Sequence, residues 1–145
     1  MNRWVQRFTP LVADVARPCR HAVGDRWQVD ETYVKVAGRW RYVYRAIDQF
    51  GQVVDVFVSR QRDAAAAHRF FQRAIGAIKV NPVEVTTDQA RLRPMRGLKQ
   101  DRSAWVIIAG HAFVQNLRRG HYELAVDQPA NRRVAVAFEE LVLAI

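Results

Sequence analysis

Two aspartates are the first candidates for chemistry. Asp30 lies inside Arg26-Trp27-Gln28-Val29-Asp30-Glu31-Thr32-Tyr33, mid-strand in a segment with apolar or aromatic residues on both faces, and Asp88 closes the β-branched run Val85-Thr86-Thr87. A charged side chain in a strand built for burial requires a partner or a metal. If the two strands are neighbours, the carboxylates converge. Two such charges about 4 Å apart repel by about 4 kcal/mol at an effective dielectric of 20, and a divalent cation between them is a natural remedy. The competing reading makes each Asp a turn or capping residue, or the ion-pair partner of one of the many arginines. Glu31 is a weaker candidate, because adjacent strand residues point to opposite faces.

The other chemical signals are basic. Arg91, Arg93, Arg96, Lys99 and Arg102 crowd into a short stretch interrupted by Pro94 and Gly97. They read either as a solvated loop or as contacts to a polyanion. The whole chain favours the second reading, since Lys and Arg total 23 against 14 Asp and Glu, a net charge of +9 carried almost entirely by Arg. Such a balance argues for nucleic acid as a partner and says little about fold. If about five of these residues reach phosphates, log affinity falls against log salt with a slope near −4 to −5. The single Cys19 allows no intrachain disulfide and no thiolate metal motif, which fits a reducing cytoplasm. His68, His111 and His121 are scattered and form no ligand motif.

These residues need a scaffold, and 145 residues with 50% apolar content suffice for a single buried core. Trp4, Val5 and Phe8 keep helical spacing before Pro10 and read as the last turns of a helix, followed by a loop-like stretch through Pro18 and Gly24. Trp27 to Val36 is a strand with the pattern of the middle of a sheet. Gly38 turns the chain into Arg39 to Asp48, where Trp40, Tyr42, Tyr44 and Ala46 share one face and, because they alternate cleanly, read as core in preference to a base-stacking platform. Phe50-Gly51-Gln52 then leads into Val53 to Ser59. Asp63 is a good N-cap for a helix whose stripe is Ala67, Phe70, Phe71, Ala74, Ile75 and Ile78, ending near Lys79. Val83 to Thr87 is a short strand, so the order is βββαβ. Helical spacing returns from about Ser103 to Arg119, closed by Gly120, and again over Asn131 to Ile145. The longest apolar candidate, Trp105 to Val114, is broken by Gly110 and His111 and is too short to span a bilayer. The start of the chain lacks a signal peptide's apolar stretch. A cytoplasmic protein without a membrane partner is expected.

The blocks Trp4-Val5-Gln6-Arg7-Phe8, Asp30-Glu31-Thr32-Tyr33-Val34-Lys35-Val36, Gly38-Arg39-Trp40-Arg41-Tyr42 and Arg62-Asp63 resemble the DDE transposases of bacterial insertion sequences, specifically the insertion-sequence-six family. Arg91-Leu92-Arg93-Pro94-Met95-Arg96-Gly97-Leu98-Lys99 resembles the segment after that family's third catalytic acid. The resemblance implies a ribonuclease-H-like α/β fold with a mixed sheet, here incomplete and followed by C-terminal helices. It further implies that Asp30 and Asp88 are the first and second catalytic, metal-binding carboxylates. The family uses two Mg²⁺ ions to activate a water or 3′-hydroxyl and to stabilise the leaving oxygen at a DNA phosphodiester. Its partners are the insertion-sequence ends and target DNA, with a homo-oligomer or a full-length transposase as protein partner.

The departures from that pattern carry equal weight. Only Gln89 and Ala90 separate Asp88 from Arg91, where the family has a helix, a strand and a second helix bearing the catalytic Glu. The third carboxylate therefore reads as deleted with its supporting structure, and the helix-turn-helix that precedes the Trp4 block in the family is expected to be missing as well. Glu123 stands at the family's spacing from Asp88, yet its context, Arg118-Arg119-Gly120-His121-Tyr122-Glu123-Leu124, aligns further downstream and follows a helix stop, so it is not taken as the missing ligand. The expected organisation is the remnant of a helix-turn-helix end and linker over 1–24, the N-terminal part of the catalytic domain over 25–90, and a basic segment with C-terminal helices over 91–145. Three functions are weighed: a transposase impaired in strand transfer, a non-catalytic remnant that binds DNA or pairs with full-length transposase, and a decayed product folding poorly around an uncovered strand at Asp88.

Overall fold

The computed structural model describes residues 3–88, 95–98 and 101–144, with residues 3–5, 88 and 95–98 described by their backbone alone. The chain forms two compact units, one over 23–105 and one over 1–22 with 106–145.

The first unit is built on β1 (Arg26–Val36), β2 (Arg39–Asp48) and β3 (Val53–Ser59), joined as an antiparallel meander. The β1–β2 turn fixes the pairing register. Ala37 and Gly38 both take positive φ, 50° and 79°, the backbone of a two-residue hairpin whose twist matches the flanking strands. Val36 is thereby set opposite Arg39, and the same ladder sets Asp30 opposite Arg45. At the β2–β3 end, Asp48 accepts the N–H groups of Phe50 and Gln52 at 3.0 and 2.9 Å, and that of Gly24 at 2.9 Å. Helix α2 (Ala64–Ile78) follows, capped by the Asp63 carboxylate on the Ala66 N–H at 2.7 Å and closed by Lys79 in the left-handed region. Its stripe Ala66, Phe70 and Ala74 packs with Trp27, Val29, Tyr44, Ala46 and Val54 into one core. Phe70 is fully enclosed there and stacks on Tyr44 at 5.9 Å.

The chain then returns through β4 (Glu84–Asp88), parallel to β1, giving the order β3-β2-β1-β4. The βββαβ order is thus present. A further strand, β5 (Met95–Leu98), pairs parallel with β1 at Val34 and Val36, within the stretch expected to be a basic loop. Main-chain pairing to an already formed strand overrides the local Pro and Gly signals there. The expectation that the β2 aromatics are core also needs correction. Tyr44 is buried, whereas Trp40 is 45% exposed, because the α2 stripe ends short of the hairpin tip.

In the second unit, α1 (Arg3–Ala16) leads through a short 3-10 turn, Arg17–Cys19, and the later elements are α3 (Asp101–Arg119, entering from the first unit) and α4 (Ala130–Leu143). Helix α1 continues through Pro10 instead of stopping before it. A proline inside a helix costs about 3 kcal/mol, and here the burial of Val12 and Ala16 in a core with Phe113, Leu117, Tyr122, Ala137 and Leu141 offsets it. Burial pushes the Tyr122 hydroxyl above its ordinary value, opposed by the charges of Arg20 and Arg17. Among the described residues no helix is long and apolar enough to cross a membrane.

Candidate carboxylate site and nucleic-acid interface

The parallel register of β1 and β4 pairs Asp30 with Asp88 directly, and paired strands lie about 4.8 Å apart. The two sequence-predicted acids are therefore neighbours in the backbone ladder, one in mid-strand and one at a strand's C-terminal end. Asp30 is 7% exposed, so its charge requires compensation. Arg45, its cross-strand partner on β2, supplies it. The guanidinium binds both carboxylate oxygens, through Nη2 to Oδ2 and through Nε to Oδ1 at 3.2 Å. This two-pronged geometry is the strong form of an arginine–carboxylate pair. Around it the same face of the sheet carries the buried Val34, Val43 and Val56.

The described residues do not fit a two-ion centre. None of their groups of His, Cys, Asp and Glu brings three potential ligands together, and the carboxylate of Asp30 is engaged by Arg45. Glu31, on the opposite face, pairs with Arg62 at 2.7 Å. Glu123 lies on an irregular segment after α3, ion-paired to His21 at 2.7 Å, its own N–H donated to the Cys19 carbonyl at 2.7 Å.

Of the predicted basic contacts, Arg91, Arg93 and Lys99 lie outside the described residues, and Arg96 is placed by its backbone in β5. Arg102 is exposed in the first turn of α3 and lines an open recess of about 320 Å³ with Arg41, Ser59, Arg60, Arg73 and Trp105. Sequence reasoning passed over Arg41, Arg60 and Arg73 because they lie far apart in sequence, on β2, just after β3 and on α2. Asp101 ties this recess together, accepting from Arg41 at 2.7 Å and Arg60 at 3.3 Å. Its hydrogen bond from Arg41 holds its carboxyl below the usual aspartate value, against the opposing effect of burial. Arg73 spans Asp55 at 3.4 Å and the Trp105 ring at 5.0 Å.

A meander of three antiparallel strands, a helix packed on one face, and a fourth strand returning parallel beside the first define a ribonuclease-H-like α/β domain, with its acids on β1 and at the end of β4. Residues 24–91, which span that framework, match the family described as a DDE domain. Over 88 residues the chain is 39% identical to the transposase for insertion sequence-like element IS431mec of Staphylococcus aureus, and equally to the transposase for insertion sequence element IS257 in transposon Tn4003 of the same species. Over that segment the chain is similar to DDE transposases of insertion sequences. Each match covers 61% of this chain and 39% of the relative, so it spans about two-fifths of the length of those curated relatives. Among solved structures, the HTLV-2 integrase catalytic core domain, determined in complex with magnesium, is similar over 81% of this chain and 85% of that one, at 16% identity and a TM-score of 0.42.

Proposed function

We propose that this chain is a DNA-directed DDE transposase of the insertion-sequence-six family that retains the first two catalytic acids, Asp30 and Asp88, and is impaired in strand transfer. The observation that supports this reading is the pairing of Asp30 with Asp88 across neighbouring parallel strands, with the Asp30 carboxylate engaged by Arg45. Two carboxylates, one of them held by a guanidinium, bind Mg²⁺ weakly and leave the second ion of a two-metal centre without its ligands. DNA contact rests on the net charge of +9 and on the arginines gathered around Arg60 and Arg102. Arg91, Arg93, Arg96 and Lys99 are proposed to extend that contact along the phosphate backbone. The protein is proposed to act where DNA is, in the cytoplasm.

A labelled duplex carrying the element's terminal repeats tests the reading. Binding is expected to weaken steeply with salt, and incubation with Mg²⁺ or Mn²⁺ is expected to give no joined product. Efficient joining that Asp30→Ala abolishes would overturn the impairment; absence of duplex binding would overturn the reading itself.

A second reading, pairing with a full-length transposase, is favoured by the β4 edge. Residues Glu84 to Thr87 are all exposed, as is Val83 at 74%; among the described residues no strand pairs with the outer side of β4, and such an edge invites another strand.

A further inference from the structure

The β1–β2 hairpin carries a surface that neither the carboxylates nor the core uses. Tyr33 and Trp40 are 46% and 45% exposed, although both lie in regular strands on the sheet face that α2 covers further along. The register sets Lys35 beside Trp40 and Tyr33 beside Tyr42, so Lys35, Trp40 and Tyr33 form one contiguous patch that borders on Tyr42, itself packed against the core. The rings meet edge to face, Tyr33 with Trp40 at 6.1 Å and 76°, and Tyr33 with Tyr42 at 6.0 Å and 85°. Despite these contacts Tyr33 and Trp40 each remain nearly half exposed. Lys35 Nζ stands 5.5 Å from the centre of the Trp40 ring.

A patch meant for the core would be buried, and a patch meant only for water would be polar. Exposed rings interleaved with cations instead match the composition of surfaces on which bases stack while basic groups follow the phosphates. We infer that Tyr33 and Trp40 form a stacking platform for unpaired bases of single-stranded DNA, with Lys35 on the phosphates. A duplex keeps its base faces inside its own stack and meets only the cations, whereas an unpaired base brings a free π face. A second copy of this chain is the poorer occupant, because it would bring the same cations and the same +9 charge to the patch. This inference rests on the DNA-directed reading above.

The test compares a labelled oligothymidylate with a duplex of equal length by fluorescence anisotropy. Tyr33→Leu with Trp40→Leu is expected to weaken single-strand binding by about 5- to 150-fold for each stacked base lost, with duplex binding unchanged. Oligothymidylate is also expected to quench part of the tryptophan fluorescence, and that part should vanish in the conservative Trp40→Phe. The second readout holds even if the leucine variant fails to fold. Duplex binding with unaltered single-strand affinity in the leucine variant, or quenching that Trp40→Phe leaves intact, overturns the platform and spares the DNA-directed reading. Binding to neither probe overturns both.

Discussion

At the β2–β3 turn, Asp48 accepts from three backbone N–H groups, those of Gly24, Phe50 and Gln52, while in mid-sheet Asp30 accepts from one side chain, Arg45. The two carboxylates are similarly buried, at 5% and 7% exposure. What differs is the mobility of the compensation. Backbone donors in a turn are fixed by the fold, so Asp48 is committed to structure. A guanidinium on a long side chain can withdraw, so the Asp30 carboxylate is the one that can exchange its partner for another cation. The contrast explains why a buried aspartate in a strand is not by itself a sign of chemistry.

The comparison can be broken in three places. Asp48→Ala removes three charge-assisted hydrogen bonds at once and leaves the Gly24 and Gln52 N–H groups buried without this acceptor, so a loss of about 3 kcal/mol is expected in urea unfolding; a loss below about 1 kcal/mol would mean that water replaces the carboxylate. Arg45→Met should cost less, about 2 kcal/mol, because the guanidinium is partly exposed and leaves only one charge unpaired. The same variant should free Asp30 for a divalent ion. Millimolar Mn²⁺ is then expected to raise the melting temperature of Arg45→Met more than that of the parent, and an equal response in both would show that Arg45 does not guard the carboxylate.

The smallest effect concerns Asp101, whose acid is stabilised as the anion chiefly by its hydrogen bond from Arg41. A depressed folded-state value contributes stability that is present above the unfolded value near 3.9 and is lost as pH falls through the folded value. Melting followed from about pH 6 down to pH 3 should therefore show a shallower acid decline in Asp101→Asn than in the parent. Parallel declines would place the acid sensitivity elsewhere.

Much of the domain was legible because its signals are local. The alternation of β1 and β2, the turn at Gly38, the Asp63 cap and the α2 stripe each lie within a few residues of one another, and each forms where the sequence pattern puts it. Asp30 and Asp88 were recognisable as unusual for the same reason, a carboxylate set among β-formers. The family resemblance likewise sits in contiguous blocks, and the matched segment, 24–91, covers the central ones.

Other features were decided only when distant elements met. Pairing of β4 with β1 puts Asp88 beside Asp30 across nearly sixty residues of chain, and the choice of Arg45 among many arginines as the partner of Asp30 follows from the hairpin register. Helix α1 ran through Pro10 because burial of Val12 and Ala16 outweighed a local break, and β5 formed by docking on an existing strand edge. Trp40 and Tyr44 share one alternation, yet one is exposed and the other buried, since α2 covers only part of that face. Periodicity assigns a residue to a face; only the tertiary structure decides what, if anything, covers it, because burial depends on which remote surface arrives there.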